Sequence, residues 1–389
     1  MPSSEGFQQR LSDQENSNVK IAIIGTRGIP NYYGGFEQFA QYLAQGLVER
    51  GHDITVYNPI DHPFKEETFG GIKIVRKWHP ENKIGSFSNF IYDYLCLKDA
   101  LGKGFDIIYE AGYGTNAPSH LLLNIDRSVI MTNMDGLEWK RAKWNYLTKM
   151  LMKYFERLTV KTSHCLVSDN VGIQAYIKNK FGRDSRFLAY GADPVGQCPV
   201  EPLAQYGVTP QGYFLVIARI EPENNIEVII NGYLKSSSTL PILIVGSKST
   251  RFFGKLAAKL PDDNNIRFVG GIYDKPALDT LRQHALIYLH GHSVGGTNPS
   301  LLEAMASGAF ISAHENEFNR SVLEDNALFF SNEEVLAGHF RDIARWRALH
   351  EEAFKQGNRL RIEQHYSWTK ITDQHLEVFG EVLEKGRWD

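Results

Sequence analysis

The apolar residues of this chain fall into short, unbroken runs: 19–25 (VKIAIIG), 53–58 (DITVYN), 105–112 (FDIIYEAG), 128–133 (SVIMTN) and 165–168 (CLVS). A strand with one wet face would alternate polar and apolar residues, whereas unbroken runs suit parallel strands covered on both faces. Between the first two runs, FEQFAQYLAQGLVERG places Phe36, Phe39, Leu43 and Leu47 at helical spacing, with Gly51 as a stop signal. That is one βαβ unit. A second alternation occupies 213–220 (YFLVIARI), 241–246 (PILIVG), 266–270 (IRFVG), 286–290 (LIYLH) and 309–313 (AFISA). The pattern predicts an α/β protein with two doubly wound, Rossmann-like halves, 19–190 and 213–365. A Pro- and Gly-rich linker, 191–212, joins them. A helix over 366–389 follows, with Trp368, Ile371, Leu376, Phe379 and Leu383 as its apolar stripe. Two such halves imply a cleft, with a ligand at the carboxyl ends of both sheets.

Composition narrows the class. A chain of 389 residues suits two domains, and 42% hydrophobic with 12% aromatic residues is enough to build large cores. The formal charge of −3 gives no electrostatic footprint for nucleic acid. Cys96, Cys165 and Cys198 contain no CxxC pair, so a reducing cytoplasm fits better than a disulfide framework. Residues 1–18 are polar, without a signal-peptide pattern, and read as a disordered tail. No apolar run is long enough to span a membrane, which leaves attachment to its surface open.

The loop after the first strand, GTRGIPNYYGGFE (25–37), opens the first helix. Gly34 and Gly35 let backbone N–H groups approach an anion at a helix start, and Arg27 adds a cation suited to a diphosphate. The spacing matches neither G-x-G-x-x-G nor the P-loop, which weakens dehydrogenase and NTPase readings. In the second half, HGHSVGGTNPSLLEAMASG (290–308) contains Gly296, a helix cap at Thr297 or Asn298, and Pro299 at the first helical position. Glu303 then lies about one turn in, placed to accept hydrogen bonds from a ribose diol. A solvated residue complementing the helix dipole is the plain alternative for Glu303, and a tight turn is the plain alternative for the glycines.

Glu303-Ala-Met-Ala-Ser-Gly308 resembles the end of the Glu-x7-Glu element in the retaining glycosyltransferases of family four, which have the GT-B fold. The resemblance runs along the chain from Val19. Together with GTRGIPNYYGGFE, the stretches NMDGLEWKRAKW (133–144) and HSVGGTNPSLLEAM (292–305) resemble the subgroup with a rhamnosyltransferase-like N-terminal domain, in bacterial polysaccharide biosynthesis. Tyr-Ser-Trp near Trp368 resembles the start of that family's final helix, which crosses back onto the first domain. Two positions depart from the pattern: Gly295 replaces the first Glu of Glu-x7-Glu, and Asn224 replaces the Lys that follows Arg219 in the family's basic pair.

The resemblance implies a nucleotide-sugar donor, retention of configuration and a transfer to a saccharide on undecaprenyl diphosphate, with L-rhamnose from dTDP-L-rhamnose as the first reading. UDP-glucose, UDP-galactose or GDP-mannose is the alternative donor, and an epimerase or hydrolase of similar fold, or a non-catalytic binding module, the alternative class. The chain has no Asp-x-Asp, so a metal-free site without cofactors is expected, built from Arg219, Arg27, the Gly34–Gly35 loop and the helix start at Thr297 and Asn298. Asp135, Glu138 and His292 are candidate bases for the acceptor hydroxyl. From Glu138 to His164, seven Lys or Arg face two acids among aromatic residues, which marks Lys140, Arg141, Lys143 and Trp144 as membrane-facing candidates. A core helix with a charged outer face would give the same pattern. The expected place of work is the cytoplasm, with the chain resting on the inner face of the plasma membrane.

Overall fold

The computed structural model describes residues 18–125, 127–134, 136–140, 144–261, 265–294 and 296–385. The predicted tail, apart from Asn18, lies outside the described residues.

The unbroken apolar runs become the central strands of two sheets. The first consists of β1 (Lys20–Ile24), β2 (Asp53–Pro59), β3 (Thr68–Phe69), β4 (Ile72–Lys77), β5 (Ile107–Glu110), β6 (Val129–Asn133), β7 (Cys165–Ser168) and β8 (Arg186–Phe187). Their order is β3-β4-β2-β1-β5-β6-β7-β8, parallel except where β3 meets β4. Ile23 of β1 registers with Val56 on one side and Tyr109 on the other, and all three are fully buried.

The second sheet contains β9 (Phe214–Ile217), β10 (Ile242–Val245), β11 (Ile266–Gly270), β12 (Ile287–His290), β13 (Ile311–His314) and β14 (Leu328–Phe330). It is wholly parallel, in the order β11-β10-β9-β12-β13-β14. Each sheet reverses its winding beside its first strand, β1 or β9. The crevice at such a switch point is where open α/β sheets bind ligands.

The hairpin of β3 and β4 falls outside the runs read as strands. It lies at the sheet edge, where only one face is covered: Ile72 and Ile74 are buried while Lys73 faces out. Gly70 and Gly71 make its turn, with φ of +55° and +84°.

Helix starts are fixed by short polar side chains that accept the otherwise unmet first-turn N–H groups. Asn145, Asn170, Asp274, Asn298 and Asn316 each cap the helix that follows. The helix Trp368–Lys385 returns to the first domain and packs on the helix Gly35–Glu49. Trp368 stacks on Tyr42 with ring centroids 4.9 Å apart, His375 lies beside Phe39 and Tyr109, and Arg50 pairs with Asp373 at 2.7 Å. At Gly191 a Cβ would come within 2.5 Å of the Trp368 indole, so the chain passes tightly under that ring.

Candidate functional site

The loop after β1 is shaped by hydrogen bonds rather than by glycine alone. Asn58 on β2 accepts from Ile29 N at 3.1 Å and donates to Ile29 O at 2.7 Å, while Asn31 Oδ1 accepts from Tyr33 N and Gly34 N. Gly28, with φ of +91°, passes so close to Asn58 that a Cβ would lie 2.5 Å from it. Glu37, in the first turn of the helix, is buried and accepts from Arg27 N at 2.8 Å. Burial raises its carboxyl above the ordinary range.

The Arg27 side chain is engaged. Its guanidinium makes two bonds to Glu81, at 2.9 and 2.8 Å, and lies 4.1 Å from the centre of the Tyr33 ring. An anion in the cleft would have to compete with Glu81 for it. The start of the helix Gly35–Glu49 has no cap from Gly34, and while the Glu37 N–H meets its own carboxyl, those of Gly35 and Phe36 point to other acceptors. Gly34 has an extended φ, and a Cβ there would make only an ordinary contact with Glu37 Oε2 at 3.6 Å; Gly35 is the constrained position. A Cβ at Gly35 would lie 3.1 Å from Pro299 Cγ, because the two helix starts meet across the cleft.

On the opposite wall, Asn298 caps the helix Pro299–Ala306 by accepting from Ser300 N at 2.9 Å. Thr297, the other candidate cap, donates its hydroxyl to the carbonyl of Asp169 in the first domain. Gly296 packs directly on the Asp169 carboxyl, where a Cβ would fall 1.7 Å from Oδ1. Arg219 follows β9 and is exposed. Asn224 is buried and closes the loop, donating to Arg219 O at 2.7 Å and meeting His292 Nδ1 at 2.9 Å. Asn224 therefore acts on the loop instead of presenting a charge. His290 is buried and its pKa falls to about 3 through burial, then through His292 and His314, so it is neutral.

Glu303 faces the cleft with its side chain 11% exposed. Its Oε1 accepts from Gln38 of the first domain at 2.5 Å, and its Oε2 accepts from Arg282. Arg282 is itself fully buried and lies 3.3 Å from Asp279, which pairs with Lys275. Gln38, Tyr42, Asp193, Lys275, Glu303 and Trp368 line a small cavity of about 40 Å³ that opens to solvent.

The other candidates divide. Glu138 is half-buried in the short turn Glu138–Lys140, where its N–H donates to Tyr113 Oη at 3.2 Å. Lys140 is exposed and Trp144 half-buried. Asp135, Arg141 and Lys143 lie outside the described residues, as does Gly295. Sequence reasoning passed over Gln38, Arg282 and Asp169. Only Arg282 left a trace: in LDTLRQHA it shares the buried face of its helix with Leu281 and Asp279, an unusual place for a charge.

Comparison with known proteins agrees with this architecture. Residues 205–359 match the family model for glycosyl transferases group 1, and residues 119–193 match a domain of unknown function, DUF1972. No curated protein matched the sequence. Sucrose-phosphate synthase from Thermosynechococcus elongatus is 16% identical with a TM-score of 0.77, covering 94% of this chain and 100% of that one. A glycosyltransferase from Rickettsia africae is 16% identical with a TM-score of 0.72, covering 95% and 100%. Anabaena HepE in complex with UDP-glucose is 14% identical with a TM-score of 0.72, covering 93% and 99%. The fold is GT-B: two parallel-sheet domains facing a cleft. With a group 1 domain over 205–359, the enzyme class is glycosyltransferase.

Proposed function

We propose that the chain is a retaining hexosyltransferase that moves L-rhamnose from dTDP-L-rhamnose onto a saccharide carried by undecaprenyl diphosphate, in the assembly of a bacterial surface polysaccharide such as a capsule or exopolysaccharide. The observation that carries the donor site is the meeting of two helix starts, at Gly35 and Pro299, with Arg219 beside the cleft and Glu303 one turn in. The uncapped helix start at Gly35 and a cation suit a diphosphate, while at the other start Pro299 has no N–H and Asn298 holds that of Ser300; a carboxylate close by suits the hydroxyls of the nucleoside sugar.

In the transfer, the bond from the anomeric carbon to the diphosphate oxygen breaks while a bond to the acceptor oxygen forms. The acceptor hydroxyl proton passes to a base, for which Asp135, Glu138 and His292 are the candidates. Negative charge grows on the departing diphosphate, and fixed donors aimed there stabilise it without reorganising. The reading assigns that work to Arg219, Gly34, Gly35, Gly296, Thr297 and Asn298, with no metal and no cofactor. Arg27 joins them only by exchanging Glu81. The rhamnose assignment rests on the resemblance of 25–37, 133–144 and 292–305 to the rhamnosyltransferase-like subgroup. A UDP-hexose is the second reading, favoured by the UDP-glucose held in the structurally similar HepE.

A thermal-shift panel of dTDP-L-rhamnose, UDP-glucose, UDP-galactose and GDP-mannose tests the donor. A ligand that binds only the native state adds roughly 2.7 kcal/mol at 100 times its dissociation constant. A shift with dTDP-L-rhamnose alone is expected, and a shift only with a UDP- or GDP-sugar would replace that donor. Wild-type transfer rates in Glu303→Ala and Arg219→Ala would remove the site. Rapid turnover of donor without acceptor would favour an epimerase or hydrolase.

A further inference from the structure

The helix Tyr146–Thr162 has two apolar faces, and only one is used. Met152, Phe155 and Leu158 point into the domain, where Phe155 meets Phe90. On the other face Tyr146, Leu147, Met150, Leu151 and Tyr154 recur at helical spacing and stand in solvent, with Tyr146 and Leu147 each 75% exposed. The helix packs against the turn Ala117–Leu121 along its second half, where His120 meets Thr162 at 2.7 Å, so that turn leaves the exposed face of the first half uncovered. A contiguous apolar patch of this kind marks an interaction surface rather than ordinary solvent-facing composition.

The charges flanking it have one sign. Lys149, Lys153, Arg157 and Lys161 lie along this helix, and Lys153, Arg157 and Lys161 are exposed. Between residues 144 and 164 the one acid is Glu156, which is buried and bonded to Lys180 at 2.5 Å and to Trp139 and Tyr176. Among the described residues of this helix, the outward face therefore offers bulky apolar side chains and cations without an acid. Among the described residues no helix is long and apolar enough to cross a membrane.

We propose that this face, led by Tyr146, Leu147, Met150, Leu151 and Tyr154, docks the protein onto an anionic phospholipid bilayer, with its apolar side chains in the headgroup boundary and its lysines on lipid phosphates. The surface differs from the stretch around Lys140 and Trp144 that the sequence marks: the apolar contact comes from the first half of the helix that follows. Its position suits the proposed acceptor. Tyr146 lies beyond the carboxyl end of β6, so the start of the helix emerges at the sheet edge that faces the cleft. The docking deepens the lipid-linked acceptor reading and rests on it for its purpose, while its test is independent of any transfer.

The experiment is co-sedimentation of the full chain with vesicles of phosphatidylcholine alone or mixed with phosphatidylglycerol. The wild type is expected to pellet with the anionic vesicles, less so in high salt, and to remain in solution with phosphatidylcholine. Leu147→Glu with Met150→Glu should lower partitioning at least about tenfold, and Lys149→Glu with Lys153→Glu should abolish the preference for phosphatidylglycerol. Unchanged thermal melting of each variant confirms that an already exposed face has been altered. The proposal is overturned if the wild type stays in solution with anionic vesicles or if the variants pellet as the wild type does. It is also overturned if the wild type is a dimer that Leu147→Glu converts to a monomer, because the face is then an interface between copies. Donor-induced thermal shifts in the vesicle-deficient variant separate this surface from the donor site: loss of docking with retained shifts supports both readings, and docking without any donor shift removes the donor reading alone.

Discussion

Gln38 and Glu303 lie on different domains, 265 residues apart in sequence, and share a hydrogen bond of 2.5 Å across the cleft. With Arg282 on its other oxygen, the Glu303 carboxylate is gripped from both sides before any ligand arrives.

The grip has a consequence for the nucleoside sugar. Gln38 occupies Oε1, an atom that a ribose hydroxyl would use, so a 2′-deoxynucleotide loses less at this site than a ribonucleotide does. Gln38→Ala should therefore tighten binding of UDP relative to dUDP by about two- to tenfold, the range of a net hydrogen bond. Calorimetric titration of both nucleotides checks this. An equal change for the two would show that Gln38 only holds the domains together.

Arg282 carries a heavier load, because its fully buried guanidinium faces both Asp279 and Glu303. Arg282→Met removes the buried cation and leaves Glu303 with Gln38 and Asp279 with Lys275. A loss of about 3–5 kcal/mol is expected from breaking a buried charge network on one side. Urea denaturation measures it, and an unchanged midpoint would mean that water already compensates those carboxylates.

Asp169 should give the protein a measurable pH dependence. Burial raises its carboxyl from 3.8 to about 8, so the folded state holds that proton more tightly than the unfolded chain does. Its stabilising contribution is full below the unfolded value and is lost as pH rises towards about 8, at most about 1.4 kcal/mol per pH unit. Thermal melts across that window should show a steeper fall in the wild type than in Asp169→Asn. Parallel curves would exclude Asp169 as the titrating group.

Gly296 tests the same contact by volume. A methyl group there would meet the Asp169 carboxyl at 1.7 Å, so Gly296→Ala should destabilise by about 1–3 kcal/mol, the usual cost of overpacking. Combining it with Asp169→Ala should recover much of that loss. Strictly additive effects in the double mutant would show that the two residues do not touch.

How much of this was legible beforehand follows from the distance over which each interaction acts. The central strands are apolar on both faces and announce themselves locally, whereas β3 and β4 alternate at an edge and pass unnoticed. The Gly34–Gly35 loop and the cap at Asn298 are also local, because a helix start is written within about five residues. The partners of the site residues are long-range. Arg27 pairs with Glu81, Thr297 with Asp169 and Glu303 with Gln38, and no window along the chain contains either member's fate. Asn224 is the instructive case: its departure from a lysine marks a lost charge, and only the folded loop shows what replaced it, a brace between Arg219 and His292.

The contact between Gly35 and Pro299 leaves little room for a diphosphate where the two helix starts meet. A nucleotide sugar bound at that meeting point would have to part the two helix starts. Each turnover would then include an opening of the cleft as well as the chemical step.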